Sequence, residues 1–209
     1  MGFEMPAKER IVDAAIDLFG ERGFQGVSIK AVAELAEVSP SLVMHHFGSK
    51  SGLKTACDLE AAAEFKKMKT EAVEAGALPL TLMFDLARRS DHIVLYFFRS
   101  FVEGGDAADA LFDQLVEDAL DYTAAGEERG LVYPATDPRA RAVIFLVQGM
   151  GTLLLHRQIR RHLGVDPVFD PPEDLLPYIS AVTEIYSRPT LNAEAYEALL
   201  TTAKDPGNE

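Results

Sequence analysis

Apolar residues recur along this chain at intervals of three and four and never in sustained alternation, so the pattern predicts helices throughout. The first stripe is Ile11, Ala14, Ala15, Leu18 and Phe19, on a helix expected from about Pro6 to a stop at Gly23. Ile29, Val32, Ala33 and Ala36 then repeat at i, i+3, i+4 and i+7 behind Ser28, whose hydroxyl can accept a bond from a free N–H of the first turn. Glu37-Val38 leads to a second start signal. Ser39 is placed to cap, and Pro40 falls at the first helical position, where its missing N–H is no loss. This short helix should end near Phe47-Gly48, since glycine can take the left-handed C-terminal conformation. Ser49 caps the next, a long helix to about Gly76 with Leu53, Ala56, Cys57, Glu60, Ala61, Phe65 and Met68 on its mostly apolar face.

Beyond Pro79 the periodicity continues, with a split expected near Ser90-Asp91. This segment gathers Phe84, Tyr96, Phe97, Phe98 and Phe101. Leu111, Leu115, Leu120 and Tyr122 mark the following helix. Asp137-Pro138 opens a long one expected to run on through the basic RQIRRHLG stretch. A proline-rich loop, a helix over EDLLPYISAVTEIYSRP and a shorter terminal helix over LNAEAYEALLTTAK complete the chain. The expected fold is all-α, with about nine or ten helices. An N-terminal three-helix unit over residues 1–50 should carry a larger C-terminal bundle over residues 51–209.

The two short helices around Glu37-Val38 cannot bury a core alone, so they must lean on their neighbours. Leu35, Val38, Leu42 and Phe47 are expected to point inward, which leaves Ser39, Ser41, His45 and Lys50 outward. A short exposed helix of small polar residues starting at a cap is what a helix-turn-helix offers to the major groove. Lys30, Lys50 and Lys54 stand at helix starts or flanks, where cations could meet phosphates, as could the backbone N–H groups at the Ser28, Ser39 and Ser49 caps.

At these residues the sequence resembles a known family. VSPSLVMHHFGSKSGL is similar to the recognition-helix signature of the TetR family of bacterial transcription regulators. ERIVDAAIDLFGERGFQGVSIKAVAELA has the layout of that family's first two helices, so the likeness covers about the first quarter of the chain. One departure is Met44, where the family usually carries a tyrosine whose hydroxyl touches DNA backbone; here the apolar body remains without it. The resemblance implies operator-DNA binding through Ser28, Lys30, Ser39, Pro40, Ser41, Leu42, Met44, His45 and Lys50.

Charge changes the picture. Twenty Lys and Arg stand against 33 Asp and Glu, a net −13, of which −1 lies up to Lys54 and −12 beyond it. Bulk electrostatics therefore cannot draw the protein to DNA, and binding must rest on local cations, helix N-termini and base-edge contacts. The acidic remainder reads most simply as a solubilising surface. A single cysteine, Cys57, excludes an internal disulfide and points to a reducing cytoplasm. No apolar signal segment opens the chain. The most apolar run, from Ala142, falls short of the roughly 20 residues of a span and contains Gln148, so no membrane is expected.

The bundle carries two open readings. The helix around Ile144 to Leu155 is apolar on all sides and holds Gly149 and Gly151, each costing about 1 kcal/mol relative to alanine, which implies a close neighbour. With the later stripe of Leu175, Ile179, Val182 and Tyr186, it forms either core or one half of a four-helix homodimer interface. The resemblance implies the dimer. The aromatics around Tyr96 are either packed core or the wall of an apolar cavity with polar specks at His92, Arg99 and Gln148. The resemblance implies a small-molecule effector there, of unidentified chemistry, and Phe65, Met68, Phe84, Tyr96, Phe98, Arg99 and Gln148 are the candidate contacts.

Catalytic signals are thin. His45 and His46 face different ways and lack partners at metal-ligand spacing, Cys57 has no histidine on its helix, and no nucleophile elbow, P-loop or dinucleotide fingerprint occurs. No metal or cofactor is called for. The expected function is a dimeric, effector-responsive transcriptional regulator, more in keeping with a repressor. Two alternatives stand beside it: a DNA-binding regulator without an effector, and an all-α enzyme using the aromatic cavity.

Overall fold

The computed structural model describes residues 5–76 and 91–188, together with Glu194 and Glu197. The helix expected at Pro79, Phe84 among the candidate contacts, and most of the terminal helix lie outside the described residues. Nine α-helices stand among those described: α1 (Ala7–Gly26), α2 (Ile29–Leu35), α3 (Pro40–Phe47), α4 (Lys50–Glu74), α5 (Asp91–Glu103), α6 (Asp106–Glu128), α7 (Pro138–Leu154), α8 (His156–Leu163) and α9 (Leu176–Ser187). No strand occurs among the described residues.

The caps fall where the serines stand. Ser28 Oγ accepts the Ala31 N–H at 3.1 Å, Ser39 Oγ that of Leu42 at 3.2 Å and Ser49 Oγ that of Gly52 at 2.9 Å. Asp137 does the same for Ala140 at 2.9 Å. Replacing such a cap by alanine typically costs about 1 kcal/mol, so four of them fix four helix starts from local chemistry alone. Helical geometry in α1 fails at Gly23, whose φ of 74° no β-carbon would favour, and the stop expected there is real.

One hydrophobic core runs from Ile11 on α1 to Leu146 on α7 and Val168 in the loop after α8, without a break between the N-terminal helices and the bundle. The most extensive helix pair is α1 with α5, followed by α4 with α6. The two helices pass close together at Gly20 on α1. A β-carbon there would meet the Tyr96 backbone nitrogen at 3.1 Å, so the absence of a side chain sets the spacing of α1 and α5.

Four expectations of packing are corrected. Leu35 is 52% exposed, and Val43, at 0%, is the residue of α3 that anchors it to the core. Glu60 is exposed, so the buried face of α4 runs Leu53, Cys57, Ala61, Ala62, Phe65, Met68, Lys69 and Ala72. The long helix expected through RQIRRHLG is two helices, α7 and α8, meeting at 73° around Leu155. Neither proline nor glycine stands at that break. His156 holds it: its Nδ1 lies 3.0 Å from the buried Asp166 carboxylate and its ring 5.2 Å from that of Phe169, tying the start of α8 to the loop beyond. Burial alone would raise the Asp166 carboxyl. Bonds from His156 and from the Val168 and Phe169 N–H groups instead hold it below the usual carboxylate value. Finally, Leu175 is buried with Val165 in a small second cluster on which Tyr178 and the half-buried Ile179 pack, so Leu175 is core and not part of an open face.

No single helix among the described residues is long and apolar enough to cross a membrane; α7 and α8 reach that length and apolarity only together, across their bend.

Candidate functional site

Three places in the fold bear on function: the α2–α3 corner, the junction of α1, α4 and α5, and a cavity inside the bundle. The corner is a tight turn through Ala36, Glu37 and Val38, closed by the Val38 N–H donating to the Ala33 carbonyl at 2.9 Å. Turns of this kind often carry glycine. Here Glu37 takes φ of 54°, the one positive φ among the described non-glycine residues, a cost the packing of Val32, Ala33, Ala36 and Val43 must carry. Nothing in the residue types signalled this.

From that corner α3 presents Ser39, Pro40, Ser41, Met44, His45 and His46 to solvent, with Leu42 half-buried. The Ser39 and Ser41 hydroxyls bond each other at 2.9 Å, which orients both at the helix start. Ser28 and Lys30 are exposed on the α2 side. Lys50 is half-buried at the start of α4, its ammonium 4.4 Å above the Phe24 ring of α1. Lys54 departs from the expectation of a phosphate contact. It is buried, and its Nζ lies 2.5 Å from the Asp58 carboxylate one turn along α4. The i, i+4 spacing of the pair was visible in the sequence.

Lys54 and Asp58 form the polar centre of the junction. The Tyr96 hydroxyl, on the fully buried side chain of α5, donates to the same Asp58 oxygen at 2.7 Å, and the Lys54 ammonium lies 4.8 Å above the Tyr96 ring. Burial and then the Asp58 charge push the Tyr96 phenol up, keeping it a donor. Burial does likewise to the neighbouring Cys57 thiol, whose Sγ points to the Val12 carbonyl at 3.8 Å; that makes it inert core rather than a nucleophile. Two more residues of α5 hold the end of α1. Arg99 Nη2 donates to the Glu21 carbonyl at 3.2 Å, and the Glu103 carboxylate accepts the Phe24 N–H at 3.1 and 3.2 Å. A β-carbon at Gly23 would stand 2.1 Å from that carboxylate, so the glycine is needed both for its φ and for this bond. Tyr96 and Arg99, expected in the cavity, thus face α1 and α4 instead.

The cavity measures about 250 Å³ and lies between α4, α5, α6, α7 and α9. Its walls are Phe65 and Lys69 from α4, Val94 and Phe97 from α5, Tyr122 from α6, Phe145 to Leu153 in part from α7, and Tyr178, Val182, Ile185 and Tyr186 from α9. Phe65 meets Phe97 edge to face at 5.6 Å, and Phe145 meets Tyr186 likewise at 5.7 Å. The polar groups come in pairs. Thr152 Oγ1 lies 2.8 Å from the Tyr178 hydroxyl, and the Tyr186 hydroxyl bonds the Gln148 side-chain carbonyl. Of the expected contacts, Phe65 and Gln148 line this space, while Met68, Tyr96, Phe98 and Arg99 do not. Gly149, Val182 and Tyr186, expected at a dimer interface, line it as well. Lys69, Tyr122, Thr152 and Tyr178 were missed. For Lys69 a signal existed, since it stands four residues after Phe65 on the same apolar face of α4.

The outer face of α7 is different in kind. Ile144, Val147 and Leu154 are 53%, 52% and 54% exposed at i, i+3 and i+10, and Gly151, between the last two on the same line, has nothing within 4 Å of where its β-carbon would stand. The space expected around this glycine therefore lies outside the chain. Leu176 and Ile185 of α9 are also exposed. Among the described residues no three metal-ligating side chains stand together.

Comparison with known proteins fits this anatomy part by part. Residues 11–57 match the family described as bacterial regulatory proteins, tetR family, and residues 89–193 match the tetracyclin repressor-like C-terminal domain. The HTH-type transcriptional regulatory protein RaaS of Mycobacterium tuberculosis is 38% identical over 161 residues, covering 76% of this chain and 75% of that protein. The regulator BetI of Rhizobium meliloti is 32% identical over 90 residues, 43% of this chain and 44% of its own. A TetR-family regulator from Rhodococcus sp. superimposes with a TM-score of 0.64 at 21% identity, covering 84% of this chain and 97% of that one. FadR of Bacillus subtilis, solved in complex with stearoyl-CoA, shares the fold with a TM-score of 0.59 at 15% identity, covering 77% and 91%. These relatives are named as regulators, not enzymes. With the head matched by one family description, the bundle by its companion and most of the chain by a named regulator, the protein belongs to the TetR family of bacterial transcriptional regulators.

Proposed function

We propose that this regulator works in the cytoplasm as a homodimeric repressor, holding operator DNA through α3 until a small apolar effector enters the bundle cavity. Residues 1–50 form the reading head and residues 51–209 the effector-binding and dimerisation part. The observation that carries the proposal is the course of α4. It begins at Lys50, directly behind the reading helix, and supplies Phe65 and Lys69 to the cavity wall, about 29 Å along at 1.5 Å per residue. A ligand that prefers another tilt of α4 moves the head with it. Two heads on one face of B-DNA must stand about 34–36 Å apart or a multiple of that, so a small tilt on each side puts both out of register.

Within the head the roles divide. Ser39, Ser41, Leu42 and His45 are placed for base edges; Ser28, Lys30, Lys50 and the α2 and α3 N-termini for phosphates. Pro40 sets the start of α3, and Met44 offers apolar contact in place of a hydroxyl. Lys50→Ala should weaken binding to all duplexes alike and flatten the salt dependence by about one unit of slope, whereas His45→Ala should relax preference at particular base pairs. Fluorescence anisotropy against salt concentration and against single-base operator variants reads both. A changed base preference in Lys50→Ala with an unchanged salt slope would contradict the assignment.

Effector control is tested by a thermal-shift screen of apolar metabolites, since a compound that binds only the folded state raises its stability by mass action. The strongest compound is then titrated calorimetrically with and without operator. Coupling is reciprocal, so an effector that weakens DNA binding must itself bind more weakly to the DNA complex, typically by about 5- to 150-fold. Equal affinities in the two titrations would mean that the cavity does not control the head.

A further inference from the structure

Resting on the phosphate role given to Lys50 above, we infer that Glu103 is a positioning residue for DNA binding. From the end of α5 it fixes Phe24 and, through that ring, the ammonium of Lys50. The chain of contacts is short. α1 leaves helical geometry at Gly23, so the Phe24 N–H opens a new turn, Phe24 to Val27, that leads into the Ser28 cap of α2. Glu103 caps that turn from another helix, its Oε1 and Oε2 accepting the Phe24 N–H at 3.1 and 3.2 Å. The Phe24 ring has two partners of its own. Its centroid is 5.5 Å from that of the buried Phe19, and the Lys50 ammonium lies 4.4 Å from it. Arg99, one turn before Glu103, ties down the end of the first part of α1 through the Glu21 carbonyl at 3.2 Å. The same α5 supplies Val94 and Phe97 to the cavity wall, so the helix that bounds the cavity ends on the bond that seats Phe24.

Lys50 is placed against local preference. It is the first residue of α4, where the positive end of the helix dipole disfavours a cation. Among the described residues it makes no ion pair, and its contact is the Phe24 ring. An aromatic face attracts an ammonium without neutralising it, whereas a carboxylate would compete with phosphate for the same charge. Phe24 therefore holds the cation and leaves its charge for DNA. A lysine has much rotamer freedom, and holding its head before DNA arrives lowers the cost of ordering it in the complex.

Charge alone gives the opposite sign. Glu103 is an exposed acid beside the end of α1 in a chain of net −13. Acting only through its field, it would repel DNA, and its removal would tighten binding. Acting through Phe24 and Lys50, its removal weakens binding.

The test uses the full-length protein and the duplex that the wild type recovers from a random pool, with affinity read by fluorescence anisotropy. Glu103→Leu and Phe24→Leu each remove one link, while Glu103→Gln removes the charge and keeps an acceptor. Each is also combined with Lys50→Ala, and circular dichroism checks helix content. Glu103→Leu and Phe24→Leu should each weaken binding about 5- to 30-fold, a factor of roughly 2–5 at each of two heads. In the Lys50→Ala background both should change affinity by less than about twofold, since contacts that act through one residue are not additive. Glu103→Gln should stay within about threefold of the wild type, because its amide carbonyl still accepts the Phe24 N–H. Losses that persist undiminished beside Lys50→Ala would overturn the inference. So would a Glu103→Leu protein that binds as tightly as the wild type or more tightly, or a Glu103→Gln protein as weak as Glu103→Leu. Failure of the phosphate role itself looks different: Lys50→Ala alone then binds as the wild type does, and Glu103 has nothing to position. A pool that yields no duplex would remove the DNA reading and this inference with it.

Discussion

Asp58→Ala is expected to lower unfolding stability by about 3–5 kcal/mol, the cost of leaving a buried cation without its partner. The side chains of Lys54 and Asp58 are only 11% and 13% exposed, and Asp58 also takes the Tyr96 hydroxyl bond. Removing the carboxylate strands the Lys54 cation and takes the shorter of two acceptors from Tyr96, whose hydroxyl keeps the Lys54 carbonyl at 3.5 Å, at the point where α4 meets α5. Urea unfolding followed by circular dichroism reads the loss directly. Replacing the pair together, Lys54→Met with Asp58→Leu, should restore most of it, because a buried ion pair exchanged for apolar residues of similar size is often neutral. The double variant has a second use. It removes the polar lock between α4 and α5 without a large stability loss, so any change in effector response then reports on coupling alone. A loss below about 1 kcal/mol in Asp58→Ala would place the pair among solvated surface ion pairs and remove it from the account.

Val147→Asp is expected to abolish dimerisation and, with it, operator binding. Val147 stands amid Ile144, Gly151 and Leu154 on a stripe of α7 that this chain leaves open, so a carboxylate there is solvated in a monomer and costs the fold little. Across a two-fold interface it would face its own symmetry mate in an apolar seam. Sedimentation should show a monomer of unchanged helix content. Affinity for a duplex carrying two half-sites should fall by about 100- to 10,000-fold, since each head loses the high effective concentration that the other provides. Ile179 is a poorer probe of the same question, because it packs on the Val165–Leu175 cluster and its substitution disturbs the fold as well. A Val147→Asp protein that sediments as a dimer and holds DNA as before would move the interface elsewhere.

What could be read from the sequence was what local chemistry decides. Ser28, Ser39, Ser49 and Asp137 cap where they were expected because a cap needs only its own side chain and the next three residues. The all-α architecture and the helix-turn-helix followed from periods long enough to count. Errors began where a helix was too short or had two neighbours. In α3, with barely two turns, the period could not decide between Leu42 and Val43 as the buried anchor. On α5 the aromatic run announced burial without saying against what. Tyr96 and Arg99 turn to α1 and α4, and Phe97 to the cavity, because adjacent residues of a helix point about 100° apart. The bend at Leu155 depends on Asp166, ten residues after His156 across a loop, a contact that no period encodes. Lys54 misled for the opposite reason: a lysine near a reading head invites phosphate, and only the fold shows that Asp58 and Tyr96 hold it inside.

The central claim is that α3 of two copies reads a two-fold operator, and selection from a random pool of duplex DNA tests it most directly. The full-length protein is incubated with the pool at moderate salt, bound duplexes are amplified over several rounds, and the enriched sequences are compared. The account predicts one inverted repeat whose half-sites are centred about 10–10.5 base pairs apart or a multiple of that. It also predicts that His45→Ala, carried through the same selection, loses preference at specific positions within each half-site. Enrichment of a single unpaired motif, or none above the starting pool, would contradict it.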